Sequence, residues 1–342
     1  MESTSLSTTT ILVTGGTGSF GKKFVSEVLE RYDIKKVIIY SRDELKQSEM
    51  QSIAPFCDHA DKLRYFIGDI RDLSRLKMAF SEVDYVIHAA ALKQVPALEY
   101  NPFEAVKTNI IGAQNVVEAA ISRQVRKVIA LSTDKAAAPV NLYGATKLAS
   151  DKLILAANNL VGRHRTRFSV VRYGNVFGSR GSVVPFFLRM QKRRAFPVTD
   201  QRMTRFSITL SEGVEFVIRC LTKSFGGELF VPKIPSYRIT DLTTAIDPEK
   251  EVEIVGIRPG EKLHEEMITN TDSMSAIECD DHFVILPSTA PPEFDKSLYL
   301  DNGYKHCPEG FHYSSDSNGD FLSVSTLEKL VRQYQDESLG SF

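Results

Sequence analysis

Short, unbroken apolar runs alternate along this chain with longer stretches whose apolar positions recur at helical spacing. The runs occupy residues 10–14, 36–40, 63–69, 85–91, 127–131 and 167–171 and read as buried strands. After the first run, Phe20, Phe24, Val25, Val28 and Leu29 share one helix face. Residues 104–122 predict a continuous helix that is apolar around much of its circumference, hence deeply covered. A third helical pattern carries Tyr143 and Lys147 and runs on through Leu148, Leu153, Ile154 and Leu155. Strand and helix in regular alternation predict an α/β fold, a doubly wound parallel sheet with right-handed crossovers.

Past Gly178 the alternation stops. Residues 183–208 hold Pro185 and a basic run of Arg189, Lys192, Arg193 and Arg194. A helix at 211–223 returns to the main fold, and a Pro-Gly turn follows within Arg258-Pro-Gly-Glu-Lys262. The expected division is a main domain over 8–182 with 209–231 returning to it. A smaller, discontinuous α/β domain takes 183–208 and 232–290, and a tail at 291–342 ends in a helix. The helices at 104–122 and 143–155 are candidates for a subunit interface, or for one face on the sheet and the rest half exposed.

Composition narrows the class little. The 342 residues are 42% hydrophobic and 25% charged, with a formal net charge of −1, so neither nucleic acid nor a membrane is expected as a partner. No apolar run reaches the roughly 20 residues that cross a bilayer. Met1 to Thr10 has neither a basic region nor an apolar core, and no signal peptide is expected. Cys57, Cys220, Cys279 and Cys307 are scattered and read as free thiols in a reducing compartment. The seven histidines do not cluster, and no metal is expected.

The first turn carries the first chemistry. Gly15-Gly-Thr17-Gly18-Ser19-Phe20-Gly21 lies between a buried strand and a helix, the context of a Rossmann-type dinucleotide loop. Glycine permits the sharp turn, and the helix N-terminus meets a pyrophosphate. Ser41, Arg42 and Lys46 follow the second strand, where a hydroxyl and two cations suit the 2′-phosphate of NADP. Asp43 keeps NAD possible, since an acid there would bind a ribose hydroxyl. Asp69 and Ile70 lie where an adenine would end. Ala89, Ala90 and Ala91 are small enough for a flat cofactor to lie against the backbone, and Lys93 is placed to reach phosphate or sugar.

The second chemistry sits in Ser132–Lys147. Tyr143 and Lys147 are four residues apart, on one helix face, and an ammonium beside a phenol is expected to lower its pKa from about 10. Thr133, Asp134 and Lys135 close the preceding strand. A salt bridge between the sequence neighbours Asp134 and Lys135 is the plain alternative to a catalytic role.

These motifs resemble the extended short-chain dehydrogenase/reductase family, through Thr14-Gly-Gly-Thr-Gly-Ser-Phe-Gly21 and Tyr143-Gly-Ala-Thr-Lys147. Four further strings resemble the nucleotide-sugar 4,6-dehydratases that invert C5 of UDP-N-acetylglucosamine on the way to pseudaminic acid: Ser41-Arg-Asp-Glu-Leu-Lys46, His88-Ala-Ala-Ala-Leu-Lys-Gln-Val-Pro96, Ser132-Thr-Asp-Lys135 and Arg258-Pro-Gly-Glu-Lys-Leu-His-Glu265. The resemblance runs from about Ile11 to the last helix. It implies a cytoplasmic homo-oligomer, dimer or hexamer, with tightly bound and recycled NADP. Tyr143 would take the O4 proton beside Thr133 and Lys147. Lys135 would be the C5 base, its pKa brought down by Lys147 and the cofactor, and Asp134 the acid, its pKa raised in a dry pocket. Asn175, Arg180, Thr199, Arg205, Arg258, Glu261 and again Lys93 would hold the UDP-sugar. A C5-retaining dehydratase, a 4-epimerase and a non-enzymatic dinucleotide sensor are the rival readings.

Overall fold

A computed structural model describes residues 6–162, 166–179, 181–287 and 297–339. Its first half is a run of strand–helix units. The strands are β1 (Thr10–Thr14), β2 (Lys36–Ser41), β3 (Leu63–Ile67), β4 (Tyr85–His88), β5 (Lys127–Thr133) and β6 (Arg167–Tyr173). All six are parallel, in the order β3-β2-β1-β4-β5-β6, with Val13 opposite Ile39 and Ile87 opposite Ile129. Helices on both faces cover them, and so β1 is buried at every position without alternating. The order reverses direction between β1 and β4, the point where open sheets of this kind form a crevice.

The helices are α1 (Ser19–Arg31), α2 (Glu44–Gln51), α3 (Leu73–Ala79), α4 (Val95–Tyr100), α5 (Pro102–Ala105), α6 (Gly112–Ser122) and α7 (Leu142–Ala156). The helix expected over 104–122 is interrupted: a π turn at Val106–Ile111 joins α5 to α6. The buried Asn109 lies in that wide turn. Its amide donates to Leu92 O at 2.9 Å and Thr146 Oγ1 at 3.0 Å, and its oxygen accepts from Leu92 N–H. The turn thereby fastens the loop after β4 to α7, which an unbroken α-helix on the same path would not do.

The expected domain division also shifts. Leu229–Pro232 extends the parallel sheet beside β6, and three antiparallel strands follow it: His282–Ile285, Ala276–Glu278 and Lys305–His306. Residues 276–285, assigned from the sequence to the smaller domain, thus complete the large sheet. The buried apolar faces of Ile277 and Val284 explain their preference for that core. The smaller lobe has its own core, with Phe187, Phe196, Tyr237, Leu242 and Leu327. Among the described residues no helix is long and apolar enough to cross a membrane.

Candidate active site

A cleft of about 1210 Å³ runs along the C-terminal ends of β1, β2, β4, β5 and β6 and under the smaller lobe. Single drug-sized ligands fill roughly 300–1,000 Å³, so this space admits a dinucleotide and a second ligand together.

Its near end is shaped by α1. Gly15 adopts φ +69°, and a Cβ there would sit 3.0 Å from the backbone of Ala90, which explains the glycine. Gly18 precedes α1 with no side chain capping the helix, which leaves the first-turn N–H groups facing the cleft. An uncapped N-terminus of a 13-residue helix fits a pyrophosphate. Thr17 and Ser41 share a hydroxyl contact at 2.8 Å. The Asp43 carboxylate is committed elsewhere: it accepts from Lys46 N–H at 3.1 Å as the cap of α2 and pairs with Lys46 Nζ at 2.9 Å. Asp69 is held by Arg71 at 2.7 Å, with Arg42 at 3.6 Å. Ile70, Ala89, Ala90, Ala91 and Lys93 line the same cleft, as do Ser19, Phe20 and Gly21.

The far end is where β5 stops and α7 starts. A short 3₁₀ turn, Asp134–Ala136, follows β5, and Gly144 presses α7 onto it: a Cβ at Gly144 would lie 2.1 Å from Lys135 O. Asn141 caps α7 by accepting from Gly144 N–H at 2.8 Å, while its amide donates to Gly260 O at 2.8 Å. The Arg258–Glu261 turn of the smaller lobe is thereby tied to the start of the helix that carries Tyr143.

Charge placement departs from expectation in two places. Lys147 is buried and donates to Leu131 O at 2.8 Å. Burial pushes the Tyr143 phenol up to about 12, against the opposing pull of Lys135 and a hydrogen bond to Thr133. The expected lowering by Lys147 is therefore not the state of this cleft. Lys135 also moves the other way. Burial pulls its pKa down, but the carboxylates of Asp134, at 3.1 Å, and Glu265, at 3.0 Å, outweigh it and hold the ammonium above the ordinary lysine range. Asp134 follows the expected direction. It is raised by burial, with Lys135 opposing. Its Oδ1 accepts from Thr133 Oγ1 at 2.8 Å, and Oδ2 has no partner among the described residues.

The substrate candidates separate as well. Asn175 Oδ1 accepts from Lys135 Nζ at 3.3 Å. The Arg205 guanidinium donates to the carbonyls of Thr204, Leu263 and Lys262, which occupies it in holding the chain before Glu265. Arg258 is exposed and pairs with Glu261 at 3.7 Å. Thr199 follows the strand Ala195–Val198 and does not line the cleft. Arg180 lies outside the described residues. Sequence reading missed Glu265, which supplies the second carboxylate on Lys135, and Lys262, whose Nζ donates to Ala137 O at 2.6 Å. Both lie in a string already recognised as distinctive, but nothing in its spacing points back to residue 135.

Residues 11–287 match the family model described as polysaccharide biosynthesis protein. The chain is 54% identical over 327 residues to a UDP-N-acetylglucosamine 4,6-dehydratase (inverting) of Campylobacter jejuni, covering 94% of this chain and 96% of that protein. It is 40% identical over 284 residues to a UDP-glucose 4-epimerase of Rickettsia conorii, covering 81% of this chain and 82% of the other. Among solved structures, Pen from Bacillus thuringiensis superposes with a TM-score of 0.85 at 38% identity, covering 96% of this chain and 99% of that one. The chain belongs to the polysaccharide biosynthesis protein family, within the extended short-chain dehydrogenase/reductases.

Proposed function

We propose that this protein is a UDP-N-acetylglucosamine 4,6-dehydratase that inverts C5 and uses NADP. The observation that carries the reading is the Asp134–Lys135 pair at the end of β5, in the same cleft as Tyr143 and Lys147. Removing a proton from C5 and a hydroxyl from C6 needs an acid and a base beyond the oxidation machinery, and this pair supplies both types. The 54% identity to an inverting dehydratase across nearly the whole chain supports the same choice.

Gly15, Gly18 and the first turn of α1 would hold the pyrophosphate, and Ser41 and Arg42 the 2′-phosphate. Asp43 also lines the cleft, but its carboxylate already caps α2 and pairs with Lys46, while Ser41 and Arg42 beside it offer a hydroxyl and a cation, which supports NADP over NAD. Bound there, NADP+ would supply a hydride acceptor that is regenerated within the cycle. Tyr143 takes the proton of O4, with Thr133 in hydrogen-bond reach of the phenol. Because burial pushes that phenol up, its ionisation depends on positive charge reaching the cleft with the bound ligand. Lys147 has two further N–H donors beyond the one given to Leu131. Burial raises Asp134 and so favours its protonated form, the form that gives a proton to the departing 6-hydroxyl. Lys135 takes the C5 proton. Arg258, exposed and paired with Glu261 only at 3.7 Å, and Lys93 both line the cleft and would meet the diphosphate. The exposed Phe103, Ile111 and Leu153 on the α5–α7 face favour assembly with further copies of the chain.

Incubation with UDP-N-acetylglucosamine in heavy water tests this reading. The expected product is a 4-keto-6-deoxy sugar carrying deuterium at C5, with coupling constants of the inverted centre. A sugar changed only at C4, with its 6-hydroxyl intact, would make the protein an epimerase instead.

A further inference from the structure

Glu265 has no part in the chemistry just described, yet it is buried against its base. Its side chain is 3% exposed, with Oε1 3.0 Å from Lys135 Nζ and 3.7 Å from Arg205 Nε. Oε2 is buried without a partner among the described residues. The backbone around it is pinned: its N–H donates to Ser315 Oγ at 2.9 Å, and its carbonyl accepts from Ser315 N–H at 2.8 Å. Asp134, Arg205, Lys262, Tyr143 and Tyr237 are the other titratable groups facing the pair. Burial raises Glu265, but Lys135 and Arg205 outweigh it and hold the carboxyl below its ordinary range, so in the open cleft the two rest as ions. A buried ion pair has a neutral alternative one proton jump away. Drying the site favours that alternative, because neither member then carries a desolvated charge.

We propose that Glu265 is a positioning residue that sets the charge of Lys135, holding it as ammonium in the open cleft and taking its proton when bound substrate drives water out. This rests on the dehydratase reading above. One N–H bond of Lys135 breaks, the electron pair stays on nitrogen, and an O–H bond forms on Glu265. The neutral amine takes the C5 proton. The C5–H electron pair becomes the second C5–C6 bond as the C6–O bond breaks, and the oxygen leaves as water with the proton of Asp134. The pair then holds one proton more than at rest and Asp134 one fewer, and Lys135, 3.1 Å from Asp134, passes that proton to it; return of the hydride to C6 is completed by a solvent proton at C5.

The test is enzyme-catalysed exchange of the C5 hydrogen of the 4-keto-6-deoxy product with heavy water, followed against pH in holoenzyme. Wild-type exchange is expected to be flat through neutral pH. Glu265→Gln is expected to be about a hundredfold slower at pH 7 and to recover roughly tenfold per pH unit upward, since solvent must then remove the lysine proton. Exchange by the variant at the wild-type rate, or slowed equally at every pH, overturns the proposal while wild-type turnover leaves the dehydratase reading standing. Wild-type enzyme forming no product removes both. If Glu265→Gln does not fold, infrared difference spectra of Asp134→Asn enzyme decide: adding UDP-N-acetylglucosamine should bring out a protonated-carboxyl stretch, and its absence overturns the proposal.

Discussion

The two ends of the cleft are built on opposite plans. The near end is backbone: a glycine turn, an uncapped helix and small residues after β4, drawn mainly from neighbouring stretches of the first half of the chain. The far end is side chains drawn from distant segments, where β5, α7, Asn175 and Glu265 place a lysine between two carboxylates. A backbone cradle offers fixed dipoles and has no protonation state to manage. The far end consists of little else, and each of its groups is set by its neighbours.

That contrast can be broken from either side. The largest effect is expected from Lys135→Ala, with kcat down by about a thousandfold or more while UDP-N-acetylglucosamine still binds within a few-fold, measured by turnover and calorimetry. Gly144→Ala comes next. Its Cβ would meet Lys135 O at 2.1 Å, so α7 must lift, with about 3 kcal/mol lost in denaturant unfolding and activity falling with it. At the cradle, Arg42→Ala should weaken NADP about thirtyfold and leave NAD unchanged in equilibrium titration, a loss of phosphate affinity with no change in proton chemistry. The smallest effect sharpens the comparison through pH. Asp134 has a raised folded-state pKa, so its burial costs stability in full above that pKa; the cost shrinks as pH falls from there toward the unfolded value of about 3.9 and is gone below it. Asp134→Asn should therefore raise Tm slightly at pH 7 and lose that advantage in acid, while abolishing dehydration.

Legibility followed the same line. The cradle could be read because its residues are contiguous and its need for glycine is local; Gly15, Gly18 and the small residues after β4 lie where the run of types places them. Tyr143 and Lys147 were legible as a spacing, but their charge states were not. Those depend on Leu131 O beneath the lysine and on the burial of the phenol, and neither is written in a helical repeat. The π turn at Val106–Ile111 was hidden because its apolar pattern passes for ordinary helix, and only the double grip of Asn109 on Leu92 reveals its use. Glu265 was invisible for a simpler reason: the strand Glu266–Ile268 beside it pairs with Tyr313–Ser314, a distant partner that no local period encodes.

Asn141 holds two things at once, the first turn of α7 through its oxygen and the Gly260 carbonyl through its amide. Separating the Arg258–Glu261 turn from α7 would break the bond from that amide and loosen the cap of the helix that carries Tyr143. On the dehydratase reading, one side chain would then couple the placement of the oxidising tyrosine to the cover of the cleft.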